Sequence, residues 1–363
     1  VKMKGLPKTL DLASLELPPV TNIESIGATR VWNELGVRGE NIVVAGQDTG
    51  VDWNHPGLKP SYRGFQNGVA NHNYNWHDAI KTPIETPNTE KCPYNGTEPC
   101  DDDQHGTHTM GTIVGDGGAG NQVGVAPKAQ WIACRNMDNG LGRPNTYIEC
   151  FEFFLAPYPV GGNSMTDGDP SKAPHVINNS WGCPAEELCE GDEFKPVLEA
   201  LAQAGVMVVV SAGNEGPGCS TISAAPAWNS GMMFSVGAHN HRDGSIAGFS
   251  SRGPSARDGG VGPDVTAPGV NIKSTVPGGG YESFMWSGTS MAGPHVAGLS
   301  ALIWSAKPDL VGKIDETREL IRRTADAKTS TESCGGVAGS SLPNNTFGYG
   351  HINAYRAVTE ATR

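Results

Sequence analysis

From Asn41 onward the chain alternates two hydrophobic patterns. Short apolar runs rich in β-branched residues end on a polar residue, and stretches of helical period follow them. The runs are 41–48 (NIVVAGQD), 129–137 (AQWIACRNM), 175–181 (HVINNSW), 206–214 (VMVVVSAGN) and 233–238 (MFSVGA). They are close to continuously apolar, the pattern of strands buried on both faces and so of a parallel sheet. Between them, 108–115, 146–156 and 194–205 carry helical spacing, and Gly205 stops the last. A longer stretch, 289–306, places Val296, Leu299, Leu302 and Ile303 at helical spacing. The alternation predicts an α/β fold of three layers, a mainly parallel sheet with helices on both faces. Residues 31–363 are expected to form a single catalytic domain. Residues 1–30 lack a clear period and are expected to be a surface arm or the remnant of a removed segment. Segments 59–104, 157–174, 183–193 and 327–347 read as inserted surface loops.

Composition narrows the class. Hydrophobic residues make up 37% and charged residues 18% of 363, as in an ordinary globular protein. The net charge of −12 disfavours nucleic acid and anionic membranes as partners. No run of 18 apolar residues is present, so no membrane span is expected. The sequence opens on Val1 with no charged-then-apolar leader, and a processed or trimmed form is expected. The eight cysteines show no C-x-x-C spacing. Their proximity suggests the bridges Cys92–Cys100, Cys134–Cys150 and Cys183–Cys189, which leaves Cys219 for Cys334. Disulfides imply an exported, extracellular protein; the bland alternative is a set of buried thiols. Asn95 and Asn344 head glycosylation sequons.

In open α/β sheets ligands bind at the carboxyl ends of the strands. Asp48, Ser180 to Gly182 and Asn214 fall there. Ser290 sits among small residues at the amino end of the 289–306 helix, where free N–H groups and the helix dipole favour a developing oxyanion. A nucleophilic serine needs a base, and the base needs an orienting partner. His295 cannot easily serve. Five helical residues rotate it by about 500°, and it lies roughly 7.5 Å along the axis from Ser290. It is expected to be a packed structural histidine. His105, in HGTH at 105–108, opens a small-residue helix and can sit in a strand-end cleft. His108 is expected to pack inward. Asp48 ends a strand, where a carboxylate is costly to bury unless it is used. Taken singly, each has a bland reading: a turn cap for Asp48, a turn residue for Asn214.

Taken together they do not. The order Asp48, His105, Ser290 within DTG, HGTH and GTSMA resembles the subtilisin-like serine proteases. The resemblance covers residues 22–361, including VTAPGVNIKSTV (265–276) and FGYGHINAYRAV (347–358). NYNWHDA (73–79) and NNSWG (178–182) are most similar to the bacillopeptidase F-like branch. The resemblance implies a serine endopeptidase acting on proteins and peptides as a monomer. Ser290 would be nucleophile, His105 base, Asp48 its orienting carboxylate, and Asn214, within SAGNEG, an oxyanion donor. Substrate would add as a strand between Ser180-Trp181-Gly182 and Gly140-Leu141-Gly142. Gly182, Ala212, Gly213 and Ala224 would wall a pocket for a large apolar side chain, and Glu215 at its rim could accept a basic one. Residues 101–103 (DDD) read either as a solvated charged loop or as an acidic subsite for Lys or Arg. Either way they should raise the pKa of His105.

The chemistry needs no cofactor, but the family often binds structural calcium. At the tight site this chain has Gly57 and Gly118, neither with a side-chain oxygen, so that site is expected to be absent. The disulfides, each worth about 2–4 kcal/mol, would compensate. Asp264, with carbonyls of 225–233, matches a second, weaker cation site. Gly293 replaces a usual serine with little expected effect. The alternatives are a processing protease selective for basic sites and an inactive relative acting as a binding module. A lipase-type hydrolase is disfavoured because no G-x-S-x-G elbow occurs.

Overall fold

The apolar runs become the middle of a seven-stranded sheet in the computed structural model, which describes residues 21–85, 91–189, 191–229 and 231–363. In chain order the elements begin with helices α1 (Thr21–Ser25) and α2 (Ala28–Glu34), strand β1 (Val43–Asp48) and the two-residue strands β2 (Phe65–Gln66) and β3 (Val69–Ala70). Then come β4 (Trp76–Asp78), α3 (His105–Val114), β5 (Gln130–Arg135), α4 (Pro144–Leu155), β6 (Val176–Asn179), α5 (Lys195–Gln203) and β7 (Met207–Ser211). The chain closes with β8 (Phe234–His239), β9 (Val265–Pro268), β10 (Ser274–Val276), β11 (Gly280–Glu282), α6 (Thr289–Ala306), α7 (Ile314–Thr324) and α8 (Ala354–Ala361).

The sheet order is β4-β5-β1-β6-β7-β8-β9, and every neighbouring pair is parallel. Alternate residues of one strand enter different cores, which is why the strands read as continuous apolar runs. Val44, Trp131, Val176 and Val209 join one core with α3, α6 and α8; Ala45, Ile132, Ile177 and Val210 join the other with α4 and α5. The expected three layers are therefore present. Strand β1 lies between β5 and β6, so the chain leaves it toward one edge and later returns to its other side. That crevice, at the carboxyl end of β1, is where such sheets bind ligands.

Three features depart from the sequence reading. Residues 21–30 of the expected arm are built into the body: Ile23, Ile26 and Ala28 are buried, so this part is not a surface arm. The rest of the expected arm, 1–20, lies outside the described residues. Strands β4 and β9 were not anticipated. Trp76–Asp78 is a three-residue edge strand rich in polar groups, and Val265–Pro268 ends on a proline. Both are too short to carry a period.

All four disulfides expected from sequence are formed. No helix among the described residues is long and apolar enough to cross a membrane.

Candidate active site

Asp48 is the last residue of β1 and is buried. His105 is the first residue of α3. The two meet because Gly106 lets the helix start press against the turn after β1. A Cβ at 106 would lie 2.0 Å from the Gly50 carbonyl oxygen, which no side chain can tolerate. Nδ1 of His105 donates to the Asp48 carboxylate, 2.8 Å from Oδ1 and 3.0 Å from Oδ2. That bond sets the tautomer and leaves Nε2 as the ring nitrogen that can accept a proton. Burial pulls the His105 pKa down, but the charge and hydrogen bond of Asp48 outweigh it, with Asp103 and Asp101 adding to them, so the net shift is upward.

The helix start is pinned by Asp101. Its Oδ1 accepts the N–H groups of Asp103 and Gln104 and the hydroxyl of Thr49, at 3.0, 2.8 and 2.8 Å. Its Oδ2 accepts the N–H and hydroxyl of Thr107 at 2.8 and 2.5 Å. Such an anion satisfies the free N–H groups of a helix amino end. It also holds Gln104 in a left-handed conformation, φ 90°. The acidic run is thus neither a solvated loop nor a substrate subsite as a whole. Asp101 caps α3, and Asp102 is buried against Arg135 at 2.6 Å. Asp103 alone keeps a half-exposed carboxylate without such a partner.

Ser290 is the second residue of α6. Its hydroxyl donates to the Ser180 carbonyl at 2.9 Å, rather than to His105. Asn214 is held by its Oδ1, which accepts the N–H and hydroxyl of Thr289 at 2.9 and 3.0 Å. Its Nδ2 is thereby free to face the cleft. A Cβ at Gly288 would sit 3.7 Å from Asn214 Nδ2 and 3.6 Å from Ser290 N. The space left open at Gly288 is therefore bordered by two nitrogens that can donate beside the serine, a setting suited to oxyanion stabilisation.

Next to it lies a cavity of about 220 Å³. Gly182, Ala212, Gly213, Ala224, Trp181, Asn214, Glu215 and Ser290 line it, and so do Pro184 and Ala227, which the sequence did not suggest. Glu215 is the only charged residue in that lining. Trp181 stacks on Tyr147 at 3.9 Å and donates to the Gln47 carbonyl, which fixes the strand-like edge it belongs to. On the opposite edge, Leu141 differs from expectation. Its N–H and carbonyl are both paired with Asp138, and at Gly142 the carbonyl accepts from Arg143 Nη1 at 2.9 Å while the N–H bonds Glu187, so Gly140 carries most of what this turn can offer a ligand. The other two histidines are structural, as expected. His108 bonds the Ile272 carbonyl and stacks on Trp286 at 4.1 Å. His295 is clasped between Met291 O and Asn22 Nδ2 at 2.8 and 2.9 Å.

Sequence comparison decides the family, because the Subtilase family model matches residues 39–350. The chain is a subtilase. Bacillopeptidase F of Bacillus subtilis (strain 168) is 39% identical over 348 residues, covering 94% of this chain and 22% of that protein. Subtilisin E of the same strain is 34% identical over 274 residues, covering 75% of this chain and 58% of the relative. The serine protease AprX of that strain is 30% identical over 354 residues, covering 90% and 68%. The chain thus spans about a fifth of bacillopeptidase F and somewhat over half of subtilisin E.

Gly57 and Gly118 bring no side-chain oxygen to the first family position. In the loop that follows Gly118, Lys273 Nζ donates to Gly120 O and Asn121 Oδ1, both at 2.9 Å. At the second position Asp264 is already satisfied. Its Oδ1 is gripped by the guanidinium of Arg322, and its Oδ2 accepts the N–H and hydroxyl of Ser235 at 2.7 and 3.2 Å. Asp264 is therefore an ion-pair partner and not a cation ligand in this arrangement.

Proposed function

We propose that the chain is a secreted serine endopeptidase that cleaves proteins through an acyl-enzyme. The Asp48–His105 pair at the start of α3, which packs on the helix α6 that carries Ser290, together with two N–H donors beside that serine, carries the reading. Ser290 Oγ attacks the scissile carbonyl carbon as its proton passes to Nε2 of His105. The carboxylate of Asp48 stabilises the imidazolium that forms. The tetrahedral oxyanion is held by the N–H of Ser290 and Nδ2 of Asn214. The C–N bond breaks as Nε2 returns the proton to the leaving amine. Water, deprotonated by the same nitrogen, then releases the acid and restores Ser290.

Substrate lies as an added strand along Ser180-Trp181-Gly182 with the turn at Gly140 opposite, so main-chain bonding supplies affinity without regard to sequence. The small walls of the 220 Å³ cavity favour a large apolar side chain before the cleaved bond. A second reading has one observation behind it. Glu215 lines that cavity and is oriented by Ser251, 2.9 Å away, which suits Lys or Arg. The proposed chemistry calls on no metal, and the Arg322–Asp264 pair supports a fold that stands without calcium at that position. The four disulfides support an extracellular setting.

A serine-reactive phosphonate should label the protein, and Ser290→Ala should abolish labelling. Absence of labelling in the parent would instead favour a binding module. Cleavage of a peptide library then separates the two specificities: a strict Lys/Arg requirement would replace the broad reading.

A further inference from the structure

Arg135 ends β5, and its side chain is fully buried. A guanidinium tolerates such burial only when it is paired. Nη2 donates to Asp102 Oδ2 at 2.6 Å and lies 3.5 Å from Asp138 Oδ1. Nη1 donates to the Pro93 carbonyl at 3.0 Å and lies 3.4 Å from Asp78 Oδ2. The same Oδ2 of Asp102 accepts the N–H of Asn139 at 3.1 Å.

Two connections leave this cluster toward the cleft. Asp102 adjoins Asp101, whose carboxylate caps α3 and so sets the position of His105. Segment 91–104 has no helix or strand of its own, so its inward attachments decide where it lies. In the other direction, Asp138 and Asn139 open the turn that presents Gly140. Asp138 closes that turn onto Leu141 and holds the N–H of Ile84 at 3.1 Å.

The cluster is poorly built for stability alone. One cation faces three buried carboxylates, and Arg135 Nε and Asp102 Oδ1 have no partner. Apolar side chains would fill the same space at a smaller desolvation cost. What a planar fork adds is direction: it fixes several acceptors on different segments at once.

We propose that Arg135 is a positioning residue of the protease, acting with Asp102 to join the loop that carries His105 to the turn at 138–142 along which substrate lies. Base and substrate edge then keep one relative placement. The proposal rests on the proteolytic reading above.

The test compares Asp102→Ala and Asp102→Asn with the parent on two substrates. One is a short ester of a single residue; the other is a peptide extended by several residues on the acyl side. Phosphonate titration of active sites normalises each rate to folded enzyme. A misplacement of about 1 Å costs on the order of 10²-fold in rate, so Asp102→Ala is expected to lower kcat on the ester at least tenfold. It should also raise KM on the extended peptide. Asp102→Asn keeps an oxygen acceptor for Arg135 and Asn139, and should recover most of both. Arg135→Lys retains the charge but not the fork, and should reproduce the split if Asp102→Ala is too unstable to purify. Parental kcat and KM in Asp102→Ala or Arg135→Lys, with only a lowered melting temperature, would overturn the proposal and leave the protease intact. A parent that hydrolyses neither substrate would instead overturn the protease reading, and this proposal with it.

Discussion

Ser180 and Ser290 exchange hydrogen bonds: each hydroxyl donates to the main-chain carbonyl of the other, both at 2.9 Å. The exchange parks the one proton Ser290 can give. It is also reversible in an instructive way, because the Ser180 carbonyl lies on the edge proposed to receive substrate. An incoming peptide N–H that takes this carbonyl leaves the hydroxyl to turn toward His105. A substrate N-methylated at the residue whose carbonyl is attacked is expected to lose about tenfold or more in kcat/KM. Parallel hydrolysis of the methylated and unmethylated peptides measures this; equal rates would show that the parked hydroxyl is irrelevant to turnover.

Gly288 leaves open the space that the two N–H donors face. Its backbone is extended, φ 168°, so alanine is conformationally acceptable there. The added methyl would meet Asn214 Nδ2 and Ser290 N at ordinary contact distance. Loss of one oxyanion donor in a subtilisin costs about 10²–10³ in kcat. Gly288→Ala is therefore expected to cost at least as much, with an unchanged melting temperature. Full turnover in this variant would mean that the oxyanion forms elsewhere.

The pKa of His105 is raised above its ordinary 6.5. Imidazolium cannot accept the serine proton, so activity should fall as pH drops through that raised value. Removing a nearby carboxylate should move the acid limb of kcat/KM to lower pH. Asp103→Asn is the cleanest choice because Asp103 caps nothing. The linkage for folding has the opposite sense. A raised folded pKa contributes stability that is full below about 6.5 and is lost as pH rises through the folded value. The pH at which the base becomes active is thus also the pH at which its ion pair stops helping the fold. A pH–rate profile that does not move in Asp103→Asn would remove long-range charge from this account.

Metal removal tests the two internal cations. A chelator is expected to leave both activity and melting temperature of the parent unchanged. Arg322→Ala should destabilise by about 3 kcal/mol, because it strands the nearly buried Asp264 carboxylate. Millimolar calcium should then raise the melting temperature of that variant and not of the parent. A parent that melts lower in chelator would show that Lys273 and Arg322 do not replace a bound ion.

The sheet strands 43–48, 130–135, 176–179, 207–211 and 234–239 were legible because both faces are apolar, and α3 to α6 because their periods are long enough to count. Asp48, His105, Asn214 and Ser290 were legible for a different reason: each alone had a bland reading, and their order within DTG, HGTH, SAGNEG and GTSMA is what resembles the family. What was not legible is what depends on a distant partner. Nothing in DDD reveals that Asp102 meets a guanidinium 33 residues later, or that Asp101 faces helix N–H groups instead of water. Asp264 matched a family cation position, and its actual partner, Arg322, lies 58 residues later in α7. Leu141 looked available because its pairing with Asp138 is a turn two residues wide. Side chains that choose among several acceptors need the three-dimensional neighbourhood to be known.

The two sequons differ in a way that bears on how the protein can be produced. Asn95 is exposed and could carry a glycan. Asn344 has no exposed surface, and its amide donates to the carbonyls of Lys328 and Ser341. In a eukaryotic secretory host the oligosaccharyltransferase meets the nascent chain before this closure forms. A sugar attached there would block the C-terminal segment from docking, and the yield would go to degradation. Bacterial expression with oxidative folding, or Thr346→Ala in yeast, avoids that competition.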